Sequence, residues 1–238
     1  MDSLDDFMQT RPPTANRPLL GLTVLVVEDS RFASEALRLL CLRSGARIRR
    51  ADSLFSAQRH LAVYRPSVVI IDIGLPDGSG VDLIRDLTAA RPRVDVVLGT
   101  SGDPEGEALA RKAGADGFLD KPISNIGFFQ SKILEHLPAE RQPKGLRVLS
   151  DDTVIPDEVA LRDDLAAAAV ALEDPTDART LRYLTQFLGG IARSAGDTPL
   201  AQETQTLAQL QTDGSAVGSQ VARIAAMVQD RIARTAAL

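Results

Sequence analysis

Thr23-Val24-Leu25-Val26-Val27-Glu28-Asp29 runs five strand-forming residues into two carboxylates, and Val68-Val69-Ile70-Ile71-Asp72 repeats the device. Parallel strands buried on both faces read as unbroken apolar runs, and ligands of open α/β sheets bind beyond the carboxyl ends of the strands. Glu28, Asp29 and Asp72 are therefore predicted to meet in one crevice. Crowded like charges raise one another's pKa unless a cation joins them, and hard oxygen ligands with open positions suit Mg²⁺. A divalent-metal site is the reading.

Two further runs lead to the same place. Val94 to Leu98, interrupted by Asp95, leads into Gly99-Thr100-Ser101-Gly102, and a short run around Phe118-Leu119 leads into Asp120-Lys121-Pro122. A hydroxyl and an ammonium thus join the carboxylates. Apolar residues recur at helical spacing over 31–44, 53–64, 80–90, 104–113 and 125–137, between five strand signals. Five β/α units with right-handed crossovers give an α/β fold, a doubly wound parallel sheet. Taken singly, Asp29 or Asp72 reads as a helix cap or turn former, Thr100 as a cap ahead of Pro104, and Phe118 as core. Gly78 and Gly80 read as turn residues, since no dinucleotide or P-loop fingerprint occurs. Together with Lys121-Pro122 the polar residues read as a site.

With the loop Asp72-Ile73-Gly74-Leu75-Pro76-Asp77-Gly78-Ser79-Gly80, the stretch from about Leu22 to Leu137 resembles the receiver domain of two-component response regulators. The resemblance implies a flavodoxin-like sheet of order 2-1-3-4-5. It implies that Asp72 accepts a phosphoryl group from a histidine kinase or phosphotransfer protein, and that Asp29 and the Gly74 carbonyl are direct Mg²⁺ ligands. Glu28, where the family more often has Asp, would act on the metal mainly through water. Thr100 and Lys121 resemble the pair that grips the phosphoryl oxygens, and Phe118 the switch aromatic whose ring turns inward on activation. Pro122 is expected to follow a cis bond. Thr100 and Lys121 stand 21 positions apart, about one fewer than is common in the family, and of Gly99, Thr100 and Ser101 only Thr100 supplies Thr. The positions two after Asp72 and two after Thr100 are Gly74 and Gly102. In the family these flank the attacking water, so bare glycines imply a poorly shielded, short-lived acyl phosphate that a bulkier residue at Gly74 would prolong.

The remainder divides the chain. Residues 1–20, acidic and then Pro-rich, read as a flexible tail, 21–138 as the receiver, and 139–155, with Arg141-Gln142-Pro143-Lys144-Gly145, as a linker. Residues 156–238 carry helical stripes: Leu161, Leu165, Ala168 and Leu172; Leu181, Leu184, Leu188 and Ile191; Leu200, Leu207 and Leu210; Val217, Val221, Ile224, Val228 and Ile232. Asp174-Pro175, Asp197-Thr198-Pro199 and Asp213-Gly214 punctuate them, predicting a four-helix antiparallel bundle. Ile191-Ala192-Arg193-Ser194-Ala195-Gly196 is weakly similar to a run in histidine phosphotransfer bundles, in a register that puts Gly189 where the phosphorylated His would stand. Residues 146–238 contain no His, so the phosphoryl group is expected to stop at Asp72.

Charge bears on the output. Residues 146–238 hold 8 Arg, no Lys and 13 acidic residues, so the whole net charge of −5 lies there. Nucleic-acid binders usually present a basic face, so the bundle is expected to contact protein; the alternative is a DNA-binding transcriptional regulator with an unrecognised helical output. Arg179 and Arg182 read as a solvated helix face, and the single Cys41 as a buried thiol beside Leu37, Leu40 and Leu42. His60 and His136 read as surface or boundary residues. No run approaches a membrane span and no signal-like apolar core begins the chain, so a cytoplasmic location is expected. The expected protein is a Mg²⁺-dependent phosphoacceptor, not an enzyme beyond its own phosphorylation from small donors and dephosphorylation. Its partners are a histidine kinase or phosphotransfer protein, an unknown protein target of the bundle and a second receiver in a homodimer.

Overall fold

The computed structural model describes residues 12–144, 149–173 and 177–235. Strands β1 (Thr23–Val27), β2 (Arg47–Ala51), β3 (Val68–Asp72), β4 (Val96–Ser101) and β5 (Gly117–Asp120) form one parallel sheet in the order β2-β1-β3-β4-β5. Helices α1 (Arg31–Ser44), α2 (Leu54–Val63), α3 (Gly80–Ala89), α4 (Gly106–Lys112) and α5 (Ile126–Leu134) alternate with them. This is the expected α/β sheet, with its order reversing between β1 and β3, where the crevice forms.

Alternation along the strands feeds two cores. Val24, Val26, Ile70 and Leu98 pack on one face with Leu37, Leu40, Phe129 and Ile133, while Leu25, Val27, Val69, Ile71 and Val97 pack on the other with Ile84 and Ala110. Each buried side chain of this kind contributes roughly 1.5–3 kcal/mol. Helix starts follow short-range capping: Ser30 accepts from Ala33 N, Ser53 from Ser56 N, Ser79 from Val81 N and Asn125 from Phe128 N. Cys41 is fully buried in the first core, and burial pushes its thiol up to about 12.

Three details depart from the sequence expectation. Asp95 falls outside β4, where it pairs with Arg65 and Arg141, and the strand instead runs on through Thr100 and Ser101. Met1 to Arg11 of the expected tail lie outside the described residues, but Leu19 is wholly buried in the first core, because the turn at Pro18 to Leu22 brings it under α1. The 139–155 stretch opens with a short 3₁₀ turn at Ala139–Arg141; 145–148, including Gly145, lie outside the described residues. Its far end is pinned to the start of α5: Val154 N donates to the Ser124 carbonyl at 2.9 Å, Gly127 N donates to the Ser150 carbonyl at 3.1 Å, and Val154 is buried.

Beyond lie α6 (Glu158–Glu173), α7 (Ala178–Ser194), α8 (Thr198–Thr212) and α9 (Gly218–Thr235). They pack in a ring, α6 on α7, α7 on α8, α8 on α9 and α9 on α6, around Leu165, Ala168, Leu172, Leu181, Leu184, Leu188, Ile191, Leu200, Leu207, Ile224 and Val228. Asp197 caps α8 ahead of Pro199 and pairs with Arg231 of α9, and Gly214 takes φ 65° in the last turn. Asp174-Pro175 lies outside the described residues. Among the described residues no helix is long and apolar enough to cross a membrane.

Candidate functional site

The carboxyl ends of β1, β3, β4 and β5 deliver Glu28 and Asp29, Asp72, Ser101 and Lys121 to one cleft. Glu28, Asp29 and Asp72 each offer a carboxylate oxygen, and these lie within 4.8 Å of one another. Lys121 Nζ sits 2.6 Å from Asp72 Oδ2 and 2.6 Å from Glu28 Oε2. Gly74 N donates to Asp72 Oδ1 at 3.2 Å. The loop after Asp72 is held close by Gly80, where a Cβ would fall 1.9 Å from the Asp72 carbonyl oxygen. Lys121-Pro122 is cis.

Burial raises the pKa of Glu28 well above the ordinary carboxylate range, Lys121 opposes this, and Asp72 and Asp29 add to it. Asp29 is raised to about 6, chiefly by burial, with Tyr183 opposing. Burial works against the Lys121 ammonium, but Asp72 and Glu28 outweigh it and leave the pKa raised. One cation thus faces three crowded carboxylates. That shortage of positive charge, with an all-oxygen donor set, fits a divalent metal ion.

Two expected residues stand differently. Thr100 is the register partner of Asp72, but it is fully buried and its hydroxyl donates to the Leu119 carbonyl at 2.7 Å. Ser101, one position on and so on the other face, lines the cleft. Phe118 is already turned inward: Gly99 and Gly106, lacking side chains, leave room for its ring, which lies 3.1 Å from where either Cβ would stand.

The helical domain roofs the cleft. Gln186, Phe187, Gly190, Arg193 and Ser194 of α7 line it opposite Asp72 and Lys121. The Tyr183 hydroxyl donates to Asp29 Oδ2. A Cβ on Gly74 would meet the Gln186 amide at 2.8 Å, and one on Gly102 would meet Arg193 Nη2 at 2.6 Å. The expectation of bare glycines and poor shielding is thereby corrected, because side chains from α7 stand over both positions. Gly189 is buried, where a Cβ would lie 3.1 Å from Thr204 Oγ1 and 3.3 Å from Arg193 Nη1, and Gly190 is the glycine on the cleft with Asp72. From α6, buried Asp164 accepts from Ser30 Oγ at 2.8 Å, Arg31 N at 2.9 Å and Phe32 N at 3.0 Å, capping α1 across the domain boundary. Burial raises its pKa against those three donors. Sequence reasoning missed Asp164, Tyr183, Gln186 and Arg193. The available signal was a second helical row on α7, Tyr183, Gln186-Phe187, Gly190 and Arg193-Ser194, opposite the apolar stripe.

Residues 24–131 match the family described as Response regulator receiver domain. The chain is 34% identical over 134 residues to the KDP operon transcriptional regulatory protein KdpE of Escherichia coli, covering 55% of this chain and 59% of that protein. It is 27% identical over 164 residues to the Response regulator MprA of Mycobacterium ulcerans, covering 68% and 67%. The chain spans about half the length of most curated relatives it matches, 44% for KdpE of Mycobacterium tuberculosis. Among solved structures, the signal receiver domain of a signal transduction histidine kinase from Syntrophus aciditrophicus aligns with TM-score 0.46 and 23% identity, over 55% of this chain and 100% of that one.

Proposed function

Residues 24–131 form a response regulator receiver domain, and on that premise we propose that Asp72 is the phosphoacceptor of a two-component relay. A carboxylate oxygen of Asp72 attacks the phosphorus of a phosphohistidine on a histidine kinase or phosphotransfer protein, or of a small acyl phosphate. The new O–P bond forms as the donor's bond to phosphorus breaks, and the donor atom keeps the electron pair and takes a proton. Phosphoryl transfer depends on positioning and on charge set against the equatorial oxygens. Lys121, 2.6 Å from Asp72, supplies a fixed cation. Mg²⁺, which Glu28, Asp29, Asp72 and the Gly74 carbonyl would hold, neutralises the phosphoryl oxygens when bound. Ser101 is the hydroxyl at the cleft and the one placed to donate to a phosphoryl oxygen, while Thr100 donates to the Leu119 carbonyl behind it. Water later breaks the O–P bond and releases inorganic phosphate.

The observation that carries this reading is the meeting of three carboxylates and one buried ammonium at the strand ends. Intact mass after incubation with acetyl phosphate and Mg²⁺ tests it: the wild-type chain gains one phosphoryl and Asp72→Asn gains none. One added phosphoryl on the variant overturns the assignment.

The output is contact with protein, read through the packing of the helical domain on the receiver. A second reading, contact with DNA, draws on the relatives named as transcriptional regulators. Against it stand the 13 acidic residues and 8 Arg of residues 146–238, the reverse of a phosphate-binding balance. A mobility shift with genomic DNA at low salt separates the two.

A further inference from the structure

The roof over Asp72 carries a cation, Arg193. Arg193 is half-buried, its Nε is fully buried without a hydrogen-bond partner, and among the described residues its guanidinium forms no ion pair at contact distance. Asp103 is the acid that acts on it, through space, and burial outweighs that help and lowers its pKa. Taking a cation out of water without a partner is costly, and proteins that do so usually supply an anion. On the receiver side Asp72 and Glu28 hold Lys121, and Asp29 accepts from Tyr183, so none of these carboxylates pairs with Arg193 at contact distance.

The cleft between the helix and Asp72 is tight, with a free volume of about 20 Å³, so a phosphoryl group enters as α7 shifts. Gly102 has no side chain, and the guanidinium occupies the space a Cβ there would need, its Nη2 within 2.6 Å of that point. Gly190, one helical turn before Ser194 and lining the same cleft as Asp72 and Lys121, would place a Cβ with nothing within 4 Å. The planar fork of an arginine matches phosphoryl oxygens two at a time.

We propose that Arg193 is a phosphoryl ligand contributed by the helical domain, so that the aspartyl phosphate on Asp72 is gripped from below by Lys121 and from above by α7. This rests on Asp72 being the phosphoacceptor. The phosphoryl group brings roughly −1.5 to −2 charge to a half-buried cation that has no contact ion pair, so phosphorylation holds the helical domain against the receiver. Gln186 and Arg193, standing over Gly74 and Gly102, also close the approach of the water whose attack on phosphorus would expel the Asp72 carboxylate. The phosphoryl group is thereby shielded by a second domain. A donor protein reaches Asp72 when α7 lifts, and the product holds α7 shut.

The test compares full-length wild type, Arg193→Met and Arg193→Lys, each phosphorylated with acetyl phosphate and Mg²⁺ and followed by intact mass. The proposal expects all three to take one phosphoryl, Arg193→Met to lose it about tenfold faster than wild type, and Arg193→Lys to fall between. Beryllofluoride with Mg²⁺, titrated by calorimetry, should bind Arg193→Met about tenfold more weakly. Hydrogen exchange should slow across α7 on phosphorylation in wild type and not in Arg193→Met. Equal phosphate lifetimes and equal beryllofluoride affinities in wild type and Arg193→Met overturn the role of Arg193, as does faster α7 exchange on phosphorylation of wild type. If wild type takes up no phosphoryl group, the phosphoacceptor reading falls and this inference with it, an outcome the mass spectrum distinguishes from the others.

Discussion

Replacing Asp164 with Ala should uncouple the two domains. Its carboxylate accepts from Ser30 Oγ, Arg31 N and Phe32 N, two of them orphan donors at the start of α1. Hydrogen bonds to a charged group contribute about 1.5 kcal/mol each at the low end, so three come to about 4.5 kcal/mol before desolvation is set against them. The raised pKa of Asp164 shows that burial is not fully offset, and about 3 kcal/mol remains as the expected loss of docking free energy, a shift of roughly a hundredfold in the opening equilibrium. Native-state hydrogen exchange reads this directly, because the Arg31 and Phe32 amides are protected by the carboxylate itself. Asp164→Ala should speed their exchange and that of α7 while the strands of the sheet keep their protection. Asp164→Asn retains an acceptor and should lose less. If the Arg31 and Phe32 amides of Asp164→Ala exchange as slowly as in wild type, or if opening changes by less than about 1 kcal/mol, the cross-domain cap does not hold the domains together.

The acidic site predicts a pH dependence. Asp29 is raised to about 6 in the folded protein, so the metal-free protein favours its protonated form and gives up stability as pH climbs from the usual carboxylate range, near about 4, through about 6. Mg²⁺ takes the ionised form, and calorimetric titrations should show its affinity falling toward tenfold per pH unit below about 6; a flat profile from pH 5 to 7 would contradict this. Gly80→Ala should destabilise the receiver by several kcal/mol, since its Cβ would fall 1.9 Å from the Asp72 carbonyl oxygen and backbone must move; a thermal midpoint equal to wild type would show that the loop relaxes freely.

What could be read from the sequence was local. The run Val68 to Ile71 and its partners fix the strands because burial on both faces demands unbroken apolar residues. The bounds of α1 follow from Ser30 accepting from Ala33 and from Gly45 at φ 89°, each decided within a few residues. The carboxylate cluster was legible because strand ends converge by topology. The choice between Thr100 and Ser101 was not, since one position along a strand reverses the face. Nor was the roof: Asp164 meets Ser30 across 134 positions and Tyr183 meets Asp29 across 154, and nothing in the pair Asp163-Asp164 marks which one turns inward.

The pinning of Val154 beside Ser124 has a kinetic consequence. Because the chain is anchored at the start of α5 and α6 begins at Glu158, the helical domain hangs from the receiver by a tether of a few residues, not by the whole stretch from 139 onward. A ligand so tethered is present at an effective concentration on the order of millimolar or above. If, as proposed, Asp72 takes its phosphoryl group from a histidine-bearing donor, that donor competes with an occupant that never diffuses away, and its apparent affinity is weaker than for the bare receiver by the fraction of time α7 stays docked. Lengthening the segment after Val154 with flexible residues would dilute that occupant without altering any residue of the site, and would set the donor's threshold by chain length alone.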